Sequence, residues 1–164
     1  MKKVSLFICF VLFFLGCATG AIRETASPLV RFSKYQSICV IVSASDPEWS
    51  WEASSLKGVL ISKLDESKMF GNITTNASSA DLQLNVFIVG VKRVSESARM
   101  MVGAMAGRAG INTEVKLYDV QSGDCIASFD AYGRSSGGTA FAGTTGQAIE
   151  QVADQICNFL QKNK

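Results

Sequence analysis

Two residues of the chain have the spacing of a catalytic nucleophile and its base. Ser54 and Lys57 form an S-x-x-K pattern, in which a lysine amine accepts the proton of a serine hydroxyl during acyl transfer. The chain contains no histidine, which excludes histidine-dependent serine and cysteine nucleophiles and histidine-ligated metal sites. A serine hydrolase built on this pair is therefore the enzymatic alternative that the residue types leave open.

The rest of the acylating pattern is missing from the sequence. Enzymes that use S-x-x-K for acylation, such as penicillin-binding proteins, also carry S-D-N and K-T-G elements, and neither stands in this chain. Lys57 falls on the polar side of a predicted helix, which favours a solvated helix face. We therefore predict a protein that is not an enzyme, with no catalytic residues, no metal site and no cofactor.

Three cysteines in the body of the chain are candidates for thiol chemistry. Cys39, Cys125 and Cys157 each lie among apolar neighbours in the sequence. Because a free cysteine packs as a small apolar side chain, the pattern favours three buried free thiols. A disulfide between Cys39 and Cys125 is the alternative in an oxidising compartment.

The start of the chain has the features of an export signal. Lys2 and Lys3 precede the almost wholly apolar segment Val4 to Leu15. That segment is shorter than the roughly 20 apolar residues that a membrane-spanning helix needs, so it is typical of a signal peptide. Leu15, Gly16 and Cys17 then resemble a bacterial lipobox, with Phe14 where lipoproteins usually have leucine.

The lipobox resemblance implies a lipid anchor. Residues 1–16 would be a lipoprotein signal peptide, and Cys17 would carry the diacylglycerol and acyl chains that attach the protein to a membrane. Ala18, rather than aspartate, follows the cysteine, which implies the periplasmic face of the outer membrane by the sorting rule of Gram-negative lipoproteins. The alternative is an ordinary signal peptide cleaved elsewhere, with Cys17 incidental.

Composition favours one domain behind a tether. Residues 17–35 show no sustained hydrophobic period and predict a flexible linker, and residues 36–164 have the length of a single domain. Lys2 and Lys3 account for the net charge of +2, so the processed chain would be close to neutral. A neutral domain gives no indication of a nucleic-acid partner.

Hydrophobic periodicity predicts an α+β domain. Apolar runs indicate strands and i, i+3, i+4 stripes indicate helices. A strand that is covered on both faces opens the domain, and a strand later in the chain is expected to become fully buried near its end. The predicted elements are strand 37–42, helix 48–67, edge strand 73–75, strand 82–91, a hairpin of strands 111–118 and 125–132, and a final helix capped by Thr144 and Gln147. Two helices can lie on one face of a four- or five-stranded mixed or antiparallel sheet, which gives a two-layer sandwich.

A segment rich in glycine, alanine and methionine links the predicted strands 82–91 and 111–118, and it carries a family resemblance. An arginine with an apolar pair, Gly103, and Ala106-Gly107 stand before a strand, and Asp119-x-x-Ser122-Gly123 and Gly137-Gly138 come later. These features resemble the bacterial lipoprotein family of the domain of unknown function 4410 type. The resemblance extends over about residues 37–160. It implies an envelope lipoprotein and its fold, and it supplies no catalytic residues.

The glycine-rich segment is also the predicted contact surface. Its flexible methionines suit a protein partner, whereas the structural alternative is a plain connection between two strands with methionines over the core. The residues of the predicted contact are Arg99, Met100, Met101, Gly103, Gly107 and Arg108. We therefore expect a non-enzymatic, lipid-anchored envelope protein that binds or supports another envelope component, and the alternatives are a hydrolase using Ser54 and a small-ligand binding module.

Overall fold

The fold was obtained as a computed structural model, which describes residues 18–26, 28–94, 107–136 and 144–164. Strands and helices within these ranges follow one another in the order that the hydrophobic pattern predicts, with one additional strand at the start. The elements are β1 (Thr19–Ala26), β2 (Ser37–Ala44), α1 (Ser50–Ser67), β3 (Asn72–Thr74), β4 (Leu82–Lys92), β5 (Gly110–Asp119), β6 (Cys125–Arg134) and α2 (Thr145–Lys162).

The strands form one mixed sheet in the order β1-β6-β5-β4-β2-β3. Strand β2 runs parallel to β3 and β4, whereas β1, β6, β5 and β4 pair antiparallel with their neighbours. The α+β class with two helices is confirmed, but the sheet has six described strands instead of the four or five predicted. The predicted hairpin of β5 and β6 is confirmed as well.

Both helices pack on the same face of the sheet and against each other. The apolar stripe of α1, formed by Leu56, Leu60 and Leu64, is fully buried, and it joins the core with alternate residues of β2 and β4. Burying side chains of this size contributes about 1.5–3 kcal/mol each. No helix in the described part of the chain is long and apolar enough to cross a membrane.

The ends of the helices follow local capping rules. Thr144 Oγ1 accepts a hydrogen bond from the backbone N–H of Gln147 at 3.3 Å, so the predicted capping residue begins α2. Asp46 Oδ1 accepts from the N–H of Glu48 and caps the short 3₁₀ turn Pro47–Trp49 that leads into α1. Lys68, with a φ of 52°, ends α1 in the left-handed conformation.

Strand β1 corrects the prediction for the first part of the chain. The segment Thr19–Ala26 lies within the predicted tether, yet it pairs antiparallel with β6, with Thr19 opposite Arg134 and Ile22 opposite Ala131. The pattern of this segment is weak because Ile22 is its one large apolar residue. Its backbone hydrogen bonds come from a strand more than 100 residues away in sequence, which a local reading cannot detect.

Two glycines let α2 approach the sheet closely. A Cβ on Gly133 would collide with the carbonyl oxygen of Ala148, and a Cβ on Gly20 would lie 2.9 Å from Cγ of Gln155. Both glycines therefore stand where the helix backbone lies directly over the sheet.

The three thiols are free, as predicted. Cys39 is buried and Cys157 is partly buried, but Cys125 is exposed, so the expectation that all three are buried is wrong for Cys125. Cys39 on β2 and Cys125 on β6 are separated by β4 and β5. Three interstrand spacings of about 4.8 Å each place the two residues far beyond the roughly 7 Å limit for a disulfide.

Candidate functional site

The predicted site residues fall mostly outside the described ranges. Cys17 lies before the first described residue, and Arg99, Met100, Met101 and Gly103 lie between the described residues 94 and 107. The predicted contact surface is therefore represented in the structure by its last two members, Gly107 and Arg108.

Gly107 and Arg108 lead into β5 and are both exposed. Gly107 has a φ of +88°, a conformation that an L side chain rarely adopts and that glycine accepts without strain. The Nζ atom of Lys92 would lie 3.8 Å from a Cβ at this position. These two predicted contact residues thus lie beside the end of β4, at one end of the sheet.

The face of the sheet opposite the helices carries an unexpected apolar cluster. Within the described chain no helix packs on this face, which we call the open face. Ile41, Phe87, Val89 and Tyr132 are large hydrophobic residues that expose between 36% and 39% of their surface there. Cross-strand pairing places Phe87 opposite Ser43 on β2 and Glu114 on β5. The cluster therefore spreads over the central strands instead of a single edge.

Two sequence expectations are corrected by this cluster. Strand β2 was predicted to be covered on both faces, yet Ile41 is partly exposed, and β4 was predicted to be fully buried near its end, yet Val89 is exposed. Continuous apolar runs are typical of strands buried on two faces. Strands β2 and β4 carry such runs although no described helix covers their open face. The mismatch between apolar composition and exposure marks the open face as a candidate binding surface.

A β-bulge in β4 affects the orientation of Val89 in this cluster. The register of β4 against β5 shifts between Ile88 and Gly90, which leaves Val89 as an extra residue without a partner. Such an insertion bends the strand and re-aims a side chain. A Cβ on Gly90 would contact Nδ2 of Asn112 at 3.4 Å. Because Gly90 has no side chain, the surface between Val89 and Asn112 stays uncovered at this position.

A shallow hollow of about 300 Å³ lies beside Val89 on the open face. Its rim combines charged and aromatic side chains, because cross-strand pairing places Arg23 opposite Asp130 and Asp130 opposite Glu114. A surface that joins apolar, aromatic and charged groups resembles the composition of protein interfaces. The lining residues are Arg23, Val89, Asn112, Thr113, Glu114, Asp130, Ala131 and Tyr132.

The S-x-x-K pair does not form a nucleophile and base in the described structure. Ser54 is exposed and Lys57 is partly buried on α1, and no hydrogen bond joins their side chains among the contacts of the described residues. A general base must lie within hydrogen-bond reach of the proton that it removes. Among the described residues there is also no group of three or more cysteine or carboxylate side chains placed to hold a metal ion.

A buried ion pair that the sequence reading did not identify holds the end of β4 against α1. Glu52 is 1% exposed, and its carboxylate accepts hydrogen bonds from Arg93 Nε at 2.6 Å and Nη2 at 2.8 Å. The Arg93 hydrogen bonds lower the pKa of Glu52 in spite of its burial. Glu52 stands four residues before Leu56 on the apolar stripe, so a charge on that stripe was the available signal.

Polar networks at the opposite end of the sheet are structural. Asp119 accepts hydrogen bonds from Tyr35 Oη at 2.8 Å and Lys34 Nζ at 3.1 Å, and these bonds lower its pKa to about 2. Asp81 accepts from the backbone N–H groups of Gln36 and Ser37. These carboxylates join the residues at the start of β2 to the turns beside β4 and β5.

Two of the thiols, Cys39 and Cys157, lie in surroundings that disfavour the thiolate. Burial raises the pKa of Cys157 to about 11 and raises the pKa of Cys39 as well. A raised pKa lowers the fraction of thiolate, which is the reactive form.

Comparison with known proteins gives one family and a shared fold. A family model described as "Domain of unknown function (DUF4410)" matches residues 48–139, and no curated protein matches the chain. Among solved structures, the PelC dodecamer from Paraburkholderia phytofirmans is similar with a TM-score of 0.58 and 14% identity over 87% of this chain and 98% of that chain.

Two further structures are similar at low identity. A point variant of the same PelC dodecamer has a TM-score of 0.57 and 15% identity over 87% of this chain and 98% of that chain. A DUF4136 family protein from Bacteroides thetaiotaomicron has a TM-score of 0.48 and 12% identity over 87% of this chain and 97% of that chain. At these identities, the PelC structures establish a common fold for the chain.

Proposed function

We propose that this protein, which belongs to the DUF4410 family, is a non-enzymatic, lipid-anchored protein of the bacterial cell envelope that supports an envelope assembly by binding through its open face. The single observation that carries the proposal is the exposed apolar cluster of Ile41, Phe87, Val89 and Tyr132 on the uncovered side of the sheet. A sheet face that is exposed to solvent normally carries polar residues.

The lipid anchor is supported by the sequence before the first described residue. Leu15, Gly16 and Cys17 have the lipobox order after a short apolar segment. One acyl chain gives marginal membrane binding, whereas two or three give stable attachment, because each buried methylene contributes about 0.8 kcal/mol. We place the anchored domain at the periplasmic face of the outer membrane because Ala18 follows the cysteine.

The partner that we assign to the open face is a second copy of this chain. PelC, whose fold the chain shares, was crystallised as a dodecamer. The open face offers what an association between copies needs: an apolar centre at Phe87 and Val89, and a charged rim with Arg23, Glu114 and Asp130. Opposite charges on one rim allow two copies to complement each other.

Self-association is tested by the oligomeric state of the protein. Sedimentation velocity of the mature chain with Cys17→Ser, which carries no acyl chains, is expected to show an oligomer. Adding Phe87→Lys/Val89→Lys is expected to give a monomer because two charges would be buried without partners. Trp51→Lys is the matched control, since Trp51 is 59% exposed on α1, which packs on the other face of the sheet. A wild-type monomer at every concentration, or an oligomer that persists in the double variant, would contradict the assigned partner.

The anchor is tested separately by the covalent state of Cys17. Mass spectrometry of the mature protein should find acyl chains on Cys17, and the Cys17→Ser variant should lose them. A protein without acyl chains on Cys17 would refute the anchor and leave the self-association result unaffected.

A further inference from the structure

Three basic side chains meet at one end of the open face. Lys92 ends β4, Arg108 precedes β5 and Arg134 ends β6, and all three are exposed. They line a cleft of about 400 Å³ whose other lining residues are uncharged: Gly90, Val91, Ala109, Gly110 and Asn112. We call these three residues the basic cleft.

Glycines shape the floor of the basic cleft. Lys92 and Arg134 pair with Gly110 from opposite sides, so two interstrand spacings, about 10 Å, separate their backbones. Gly110 has no side chain to fill this gap, and a Cβ there would meet Cγ of Arg134 at 3.9 Å. With respect to the residues that the structure describes, the cations therefore border an open space.

No ion pair neutralises the basic cleft among the described residues. Glu52 binds Arg93, whereas Asp130 lies four positions before Arg134 on β6 and Glu114 lies four positions after Gly110 on β5. That offset corresponds to about 13 Å along a strand, which exceeds the Debye length of about 8 Å at physiological salt. Within the described ranges, the three positive charges of the cleft are therefore not paired with a carboxylate.

Strand β1 connects the basic cleft to the segment that would carry the lipid anchor. Thr19, the first residue of β1, pairs with Arg134, and it lines a neighbouring hollow together with Arg134 and Tyr132. Two residues of extended chain span at most about 7 Å, so a lipid-bearing Cys17 would hold the Thr19–Arg134 end of the cleft close to the bilayer surface.

We propose that the basic cleft of Lys92, Arg108 and Arg134 binds the phosphate groups of anionic phospholipids and thereby holds the anchored domain against the membrane. The proposal rests on the lipid anchor of the proposed function for its geometry. Cationic side chains near an anionic leaflet are each attracted to its phosphate groups. The contact is with a charged surface, so it depends on the number of positive charges more than on the identity of each side chain.

The test uses the complete mature chain with Cys17→Ser, so that binding through acyl chains does not contribute. Sedimentation with vesicles of phosphatidylglycerol and phosphatidylcholine, and with vesicles of phosphatidylcholine alone, measures the partition coefficient. We expect binding to the anionic vesicles, with a loss of roughly fivefold for one cation replaced by glutamine and on the order of a hundredfold for all three.

Matched controls separate local charge from total charge. Lys57→Gln/Lys68→Gln/Lys162→Gln removes the same charge from the two helices, and it is expected to leave binding within about twofold. Arg108→Lys/Arg134→Lys keeps the charge and should keep the binding. Equal losses in the glutamine triple variant and in its helix control would overturn the proposal.

Two further outcomes would also overturn it. Inorganic phosphate and sodium chloride are compared at equal ionic strength. If phosphate displaces the protein from the vesicles and sodium chloride does not, the cleft is a site for free phosphate instead of a membrane surface. Equal binding to vesicles with and without phosphatidylglycerol would show that the protein does not recognise the anionic lipid. Because acylation of Cys17 is measured in the full-length chain, a failure here is distinguishable from a failure of the anchor.

Discussion

The ion pair of Glu52 and Arg93 predicts an asymmetric response to substitution. In Arg93→Met, the Glu52 carboxylate would lose two charge-assisted hydrogen bonds of 2.6 Å and 2.8 Å while it stays buried on the inner side of α1. An uncompensated buried charge costs about 3–5 kcal/mol. Because the Arg93 side chain is 50% exposed, water can enter the vacated space, and we expect a loss of about 2–3 kcal/mol in the free energy of unfolding.

Substitution of the other member of the pair, Glu52, should lower the free energy of unfolding much less. Glu52→Leu would continue the apolar stripe of Leu56 and Leu60, and the exposed guanidinium of Arg93 can turn into solvent. Replacing a buried ion pair by apolar side chains is often neutral, so the double variant Glu52→Leu/Arg93→Met is expected to lie within about 1 kcal/mol of the wild type. Urea denaturation followed by circular dichroism measures all four proteins.

The pH dependence of the same variants has a definite sign. The Arg93 hydrogen bonds lower the pKa of Glu52 in the folded protein, so the stabilisation by Glu52 is present above its unfolded pKa of about 4.3 and is lost as the pH falls through the folded pKa. In Arg93→Met, burial without a partner would raise that pKa instead. The difference between wild type and variant should therefore grow between about pH 4 and pH 7.

Equal losses for Arg93→Met and Glu52→Leu would refute this reasoning. So would a difference between wild type and Arg93→Met that stays constant with pH. Either result would mean that Glu52 reaches water in the folded protein.

Three further predictions concern packing, thiols and catalysis. Gly133→Ala should destabilise the protein by about 1–3 kcal/mol in urea denaturation, because its methyl group would displace α2, and an unchanged midpoint would contradict that contact. In the folded protein a maleimide should modify Cys125 and spare Cys39 and Cys157, whose modification should require denaturant, as measured by mass spectrometry of digests. A fluorescent β-lactam should leave Ser54 unlabelled, and covalent labelling of this serine would support the hydrolase alternative.

The sequence predicts the elements that carry strong periodicity. Helix α1 and the hairpin of β5 and β6 follow local patterns that tertiary contacts reinforce. Strand β1 lacks such a pattern because its stability comes from distant pairing with β6, and because Gly20, which a local reading assigns to a flexible linker, serves close packing against α2.

The candidate sites are predictable to a smaller extent. The apolar character of Phe87 and Val89 is visible in the sequence, but their exposure depends on both helices lying on the other face. The basic cleft combines residues from three separate segments. Strand order brings Lys92, Arg108 and Arg134 together, and no sequence motif contains them.

Strand β1 changes the geometry that a lipid anchor would impose. A flexible tether through residue 35 would let the domain tumble well away from the bilayer. With Thr19 paired to Arg134, a single residue, Ala18, lies between an acylated Cys17 and the sheet. The strand ends that carry the basic cleft would then face the lipid, and Phe87 would lie further along the sheet, away from the headgroups. In this arrangement one end of the open face meets the membrane while its centre stays free for a second copy of the chain.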